Sequence, residues 1–310
     1  MDLITASKGM KDKVIAGIIL DWAIQSQLMQ RMPFMDVDSF WLKTWKNTSV
    51  TDATFRDIGE SYSETSDSFQ EAQEGIYLLG GKIDIDRALK LPGQREIDAY
   101  AQNLVLQAKR FMFTFHQYFI NGDRTTDPKG FDGLKTRLTS ANPAYIDAGS
   151  PLNVAASSAN RQTFLDKLDE CLWNLRGQTA DVICTSKEGL WNLIRVARRE
   201  GLLDVTRDAF DRAVDSYKGI PLMYMGTKGD QSTAIIGAAE GTGTNETSYY
   251  PVVLSEKAVT GIQMHAPKRL FDDITDDGVT HRVVFEWPVG LALWDSRAAG
   301  RLYGVQAIGS

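Results

Sequence analysis

The stretches whose residue types could do chemistry are few, and each fails on spacing. "GIYLLGGKI", Gly75 to Ile83, sets two glycines ahead of Lys82, the ingredients of a phosphate loop. The lysine falls one place late and no Ser or Thr follows it. A strand starts at Ile83 where a helix N-terminus would have to aim N–H groups at phosphate. "GTGTNE", from Gly241, lacks the third glycine of a dinucleotide fingerprint and precedes no helix. His116, His265 and His281 lie far apart, none with a partner at metal-ligand spacing. His116, among phenylalanines at helical spacing, reads as a packed or interface histidine. "DDITDDG", Asp272 to Gly278, gathers carboxylates, but they miss the alternating positions of a calcium loop and no closing Glu follows. A solvated turn fits it better. Cys171 and Cys184 form no C-x-x-C pair, neither has a histidine nearby, and no G-x-S-x-G elbow occurs. No catalytic, cofactor-binding or metal-binding residue is nominated, and the chain is not expected to be an enzyme.

Composition narrows the classes further. A chain of 310 residues, 43% of them hydrophobic, supports two packed lobes sharing one chain. The net charge of −6 argues against gripping nucleic acid by charge, since that affinity comes from Lys and Arg displacing phosphate counterions. A passive container for DNA is compatible with it. Two cysteines without a framework fit a reducing cytoplasm. The apolar cluster Val14 to Leu20 is ended by Asp21, far short of the roughly 20 residues that span a bilayer, so no membrane partner is expected.

The elements come in a distinct order. Residues 1–38 have a ragged helical stripe (Val14, Ile18, Leu20, Trp22, Ile24, then Leu28 and Met32) broken at Pro33, either an arm or the first helix of a domain. As an arm it is expected to become ordered only on assembly. Strand-like alternation over Val50–Ile58 and Phe69–Ile85 flanks a tip, "GESYSETSDS". From Asn47 to Leu89 nine acids face three bases, and a hairpin so long and polar is marginal alone. It is a mobile surface hairpin, or it lies on something else such as a neighbouring subunit. From Pro92, apolar residues at Ile97, Ala101, Leu104, Ala108, Phe111, Phe115 and Phe119 predict a helix of roughly 40 Å. It stops at Asn121-Gly122, where the glycine is expected to take the left-handed conformation that closes a helix. Beyond Ser150, helical stretches such as "KEGLWNLIRVARREG" alternate with strands such as "ADVICTS" and "YKGIPLMYMGT", and "HRVVFEWPVGLALWD" and "GRLYGVQAI" return strands to the end. The fold class is α+β.

This order of arm, acidic hairpin, long helix ending in "INGDRTTDPKGFDGL", mixed lobe and final strands resembles a tailed-bacteriophage major capsid protein of the Hong Kong 97 type. "ADVICTSKEGLWNLIRVARREG", "YKGIPLMYMGT" and "PVVLSEKAVTGIQ" with "VVFEWPVGLALWDSRAAGRLYGV" resemble successive segments of that family. The resemblance implies an N-terminal arm at 1–38 and an extended hairpin loop with flanking segments at 39–90. It implies a peripheral domain with the long spine helix at 91–150, an axial domain at 151–260, return strands of the peripheral domain at 261–295 and a closing axial segment at 296–310. The loop would lie over the adjacent subunit through Phe55, Arg56, Glu60, Glu64, Asp67, Phe69 and Lys82. Gly122, Pro128, Gly130, Phe131 and Gly133 would form the turn that takes the chain from the spine helix into the sheet. No cross-link through Lys82 is expected, because no Asn partner is identifiable. The function implied is a shell of hexamers and pentamers around double-stranded DNA, enclosed without specific binding. The partners implied are further copies of the chain, a separate scaffolding protein, a portal and, in some members, a decoration protein. Such a shell assembles in the host cytoplasm and becomes the virion capsid. An encapsulin-type nanocompartment shell is the alternative, and a soluble enzyme of unrelated fold a more distant one.

Overall fold

The computed structural model describes residues 17, 26–49, 55–61, 68–86, 97–175, 179–207, 211–276 and 278–307. In chain order the elements are α1 (Gln27–Arg31), β1 (Phe34–Asp36), β2 (Trp41–Ser49), β3 (Ser68–Gly75), β4 (Tyr77–Asp86), α2 (Ile97–Asn121) and α3 (Leu134–Arg137). Then follow β5 (Tyr145–Leu152), α4 (Ser158–Trp173), β6 (Val182–Thr185), α5 (Lys187–Arg199), β7 (Leu203–Arg207), β8 (Ala213–Tyr217) and β9 (Ile220–Tyr224). The chain closes with β10 (Glu246–Val252), β11 (Val259–Gln263), β12 (Lys268–Ile274), β13 (Thr280–Leu293) and β14 (Arg301–Gln306).

β13 organises the first sheet. Its residues alternate between the core and the surface from Thr280 to Trp287 and are buried on both faces beyond, as its apolar sequence requires. β4 runs antiparallel along one edge of it, while β12 and then β11 share the other, and β1 adds to β11 in parallel. Pro288 has no N–H to offer, and it falls where the partner on that second edge changes from β12 to β11. The second sheet has seven strands in the order β5-β14-β10-β6-β9-β8-β7, with α4 and α5 packed on it. Serine caps start both helices: Ser157 Oγ accepts from Asn160 N–H and Ser186 Oγ from Gly189 N–H.

The helix predicted from Pro92 is present from Ile97 to Asn121, and residues 91–96 lie outside the described ones. Phe111, Met112, Phe115, Phe119 and Ile120 form its buried stripe. Phe115 stacks near Trp287 of β13 (5.4 Å between centroids) and Phe34 of β1 (6.0 Å), so three elements meet at one aromatic cluster. Each such ring contributes about 1.5–3 kcal/mol by burial. The Trp287 indole N–H is satisfied by Gln263 Oε1 at 3.0 Å, and Gln263 in turn donates to Asp36.

Two sequence expectations change here. From Ser26 onward the presumed arm is part of the core, with Leu28, Met29 and Met32 fully buried and β1 hydrogen-bonded to β11; residues 1–25, Gly17 aside, lie outside the described ones. The hairpin is built from β2 and β3, which among the described residues pair only with each other, so Trp41–Ser49 is part of its rising strand. Of the expected Val50–Ile58, residues 50–54 lie outside the described ones and Phe55–Ile58 are not in a strand. The long strand expected over Phe69–Ile85 breaks at Ile76. Its second half, β4, belongs to the body sheet.

Candidate assembly site

The turn after α2 is built by crowding. Gly122 N–H still bonds the Tyr118 carbonyl at 3.0 Å, in helical register, and none of Gly122, Gly130 and Gly133 is left-handed, contrary to the expectation for Gly122. What demands glycine is close approach. A Cβ on Gly122 would lie 2.1 Å from the Phe131 carbonyl oxygen, one on Gly133 2.4 Å from that of Tyr118, and one on Gly130 2.0 Å from the Tyr118 ring. The helix end is thereby satisfied from outside: the Gly122 carbonyl accepts from Gly133 N–H at 2.9 Å and from Thr136 Oγ1 at 2.6 Å. Asp123 accepts from the N–H and hydroxyl of Thr125 and the hydroxyl of Thr126, bonds that hold its carboxyl below the usual range. The Tyr118 hydroxyl donates to Asp127, which pushes the phenol up to about 12. Phe131 is buried against Phe115 and Tyr118, whereas Pro128 is exposed.

The base of the hairpin is clamped to this turn. Arg137, one turn beyond Gly133, gives both ends of its guanidinium to Glu74 of β3, at 2.7 and 2.8 Å. It also donates to the carbonyls of Asp132 (2.8 Å) and Leu291 (3.0 Å), joining turn, hairpin and β13. Both partners are largely buried, with side-chain exposures of 16% and 7%. Next to this pair, the Arg124 guanidinium sits 5.9 Å from the rings of both Trp41 and Tyr77, which meet edge to face. Behind, a Cβ on Gly290 would fall 2.2 Å from the Gly75 carbonyl, so β13 and the hairpin's last residue touch backbone to backbone. The same turn reaches the second sheet: Lys135 pairs with buried Glu240 at 2.8 Å, and Glu240 also accepts from Arg301 (3.0 Å) and the Tyr250 hydroxyl (3.1 Å).

At the far end, Phe55 and Ile58 are wholly exposed. Between and beside them Arg56 donates to the carbonyls of Asp57 and Glu60, and Asp57 N–H bonds the Glu60 carboxylate. Of the other interface residues expected from the sequence, Glu64 and Asp67 lie outside the described residues. Phe69 stands on β3 opposite Asn47. Lys82 is on β4, opposite Val284 in the body sheet, and so not on the hairpin. Sequence reasoning missed the clamp itself, Arg137, Glu74 and Arg124. Partners 63 residues apart leave no local spacing to read.

The stretches first considered for chemistry are structural. "GIYLLGGKI" is β4 with its entry, and "GTGTNE" leads into β10. His116 is buried, bonded to the Met225 main chain and 2.8 Å from Ser26 Oγ, and burial lowers its pKa to about 4. Asp272 pairs with Arg269 and with His281 at 3.2 Å. Among the described residues no group of His, Cys, Asp and Glu could hold a metal ion, and no helix is long and apolar enough to cross a membrane.

No protein-family model matches the chain, and no curated protein matches it. Solved structures do. The SrpI encapsulin complex of Synechococcus elongatus aligns over 91% of this chain and 88% of its own, at 10% identity and a TM-score of 0.62. The capsid of the native GTA particle aligns over 90% and 89%, at 15% identity and a TM-score of 0.61. A chain of Mycobacterium phage Bobi aligns over 92% and 91%, at 11% identity and a TM-score of 0.58. The chain has the Hong Kong 97-type capsid fold. At such low identity it is the backbone path that is shared.

Proposed function

We propose that the protein is the major capsid protein of a tailed bacteriophage, assembling into hexamers and pentamers that close an icosahedral shell around double-stranded DNA. One observation carries the reading: a two-stranded hairpin, paired among the described residues only with itself, is clamped at its base by buried Arg137–Glu74 and carries fully exposed Phe55 and Ile58 beyond β2. A rigidly held arm with an apolar end has no use within one subunit, and a neighbour is what covers it. In this reading residues 39–90 supply the extended loop with Phe55, Arg56, Glu60, Glu64, Asp67 and Phe69 toward the next copy, 91–150 with 261–295 the peripheral domain, and 151–260 with 296–310 the axial domain. Scaffolding, portal and decoration proteins would be its partners, and the virion its destination. The likeness to an encapsulin supports a second reading, a cargo-holding compartment of the same architecture. Deleting Gly59 to Ser68 tests the role of the loop: the variant should stay as capsomers or monomers on size exclusion, and normal closed particles from it would sink the idea. Nuclease-protected DNA inside particles from the native source separates the virion from the compartment.

A further inference from the structure

We propose that the hairpin tip anchors in a cavity of the neighbouring copy, with Phe55 as the residue inserted. The proposal rests on the shell reading and names the receptor for the loop. The tip is already shaped. Gly59 at φ +97° closes a turn held by the Arg56 and Glu60 hydrogen bonds, and this turn presents Phe55 and Ile58 with no cover from the rest of the chain. A single exposed apolar residue is ordinary, but two flanking one hydrogen-bonded turn form a contact surface with little freedom left to lose.

The receptor lies between α2, β4 and the spine turn. Tyr77, Leu79, Thr114, Phe115, Phe131 and Val289 line a cavity of about 200 Å³, with Leu78 and Lys129 also on its wall. That is below the size of ordinary small-molecule pockets, about 300–1,000 Å³, and suits one aromatic side chain. Its polarity matches the tip: rings and aliphatic groups for Phe55, and the Lys129 ammonium for Asp57 and Glu60 beside it. A copy's own Phe55 does not fill it, being wholly exposed. Tyr77 on the cavity wall packs on Trp41 at the base of the hairpin, and β2 extends from Trp41 for nine residues, about 30 Å in an extended strand. Tip and cavity, apart on one chain, meet between copies, and the contact repeated head to tail closes a ring.

A cysteine pair reports the contact directly, because both native cysteines are buried. Phe55→Cys combined with Leu78→Cys, oxidised in assembled particles, should give a ladder of linked chains on a non-reducing gel that neither single variant gives. Phe55→Asp should leave the fold of the free subunit unchanged by circular dichroism while raising the concentration needed for closed particles at least about tenfold, the loss of one buried aromatic anchor. Lys129→Glu should weaken assembly and Asp57→Lys should restore it. Closed particles with no ladder, or Phe55→Asp particles forming at the parent's threshold, would overturn this inference and leave the shell reading standing. A parent chain that forms no particles under any condition would overturn both.

Discussion

Replacing Arg137 with Met removes the cation from the clamp while keeping most of its length. Glu74, 7% exposed at its side chain, then keeps a buried carboxylate that has lost both guanidinium bonds, and the carbonyls of Asp132 and Leu291 lose a donor. Breaking one partner of a buried ion pair costs about 3–5 kcal/mol, whereas replacing both with apolar groups of similar volume is close to neutral. Arg137→Met and Glu74→Met should therefore each destabilise the free subunit by about 3–5 kcal/mol, and the double variant should recover most of the loss, a coupling of at least about 2 kcal/mol. Urea unfolding of unassembled subunits measures this, provided the slopes stay equal among variants. Hydrogen exchange adds a local readout, since β2 and β3 depend on the clamp for their attachment: their protection should fall in either single variant. A cost below about 1 kcal/mol, typical of an exposed pair, would refute the reasoning. So would a double variant whose loss equals the sum of the two singles.

Three further outcomes are expected. His116 has a folded pKa of about 4 against 6.5 for the free side chain, so the unfolded chain takes up the proton first. Stability from this group is complete above about pH 6.5 and falls by about 3 kcal/mol as pH drops toward 4; His116→Asn should show a shallower loss in urea midpoints over that range, and an equal slope would count against it. Gly122→Ala puts a methyl 2.1 Å from a main-chain oxygen that cannot step aside, so the variant should fail to fold or lose several degrees in Tm, while Gly229→Ala, with open space around it, should not. The free subunit, at net charge −6, should bind duplex DNA no tighter than micromolar at physiological salt in a mobility-shift assay; submicromolar, salt-sensitive binding would mean a nucleic-acid-binding protein.

Much of this architecture was legible because periodicity is a local property. The Phe111, Phe115, Phe119 stripe reads as a helix and "HRVVFEWPVGLALWD" as a strand because the spacing is set by the same backbone that the structure uses. Gly122 was located correctly but for the wrong reason, since crowding by Phe131 and Gly133 depends on a loop folding back and not on the local backbone angle. The hairpin was found and its strands misplaced: "WLKTWKNTS" fell in the segment flanking the expected loop, and its pairing with β3 makes it part of the rising strand. The break at Ile76 is invisible in an alternating run; beside it Gly290 of β13 packs on the Gly75 carbonyl, a contact far away in sequence. The Arg137–Glu74 clamp and the Lys135–Glu240–Arg301 network join residues 61 to 154 positions apart, and no spacing rule reaches that far.

The most direct test of the central claim is electron microscopy of the purified chain after size exclusion, imaged over a range of concentration and salt. Closed, hollow particles of uniform diameter are expected, with six-fold and five-fold rings resolved on the averaged surface and density for the hairpin of one subunit crossing onto the next. A monodisperse, small species under all those conditions, with β2 and β3 folded back on their own subunit, would contradict it.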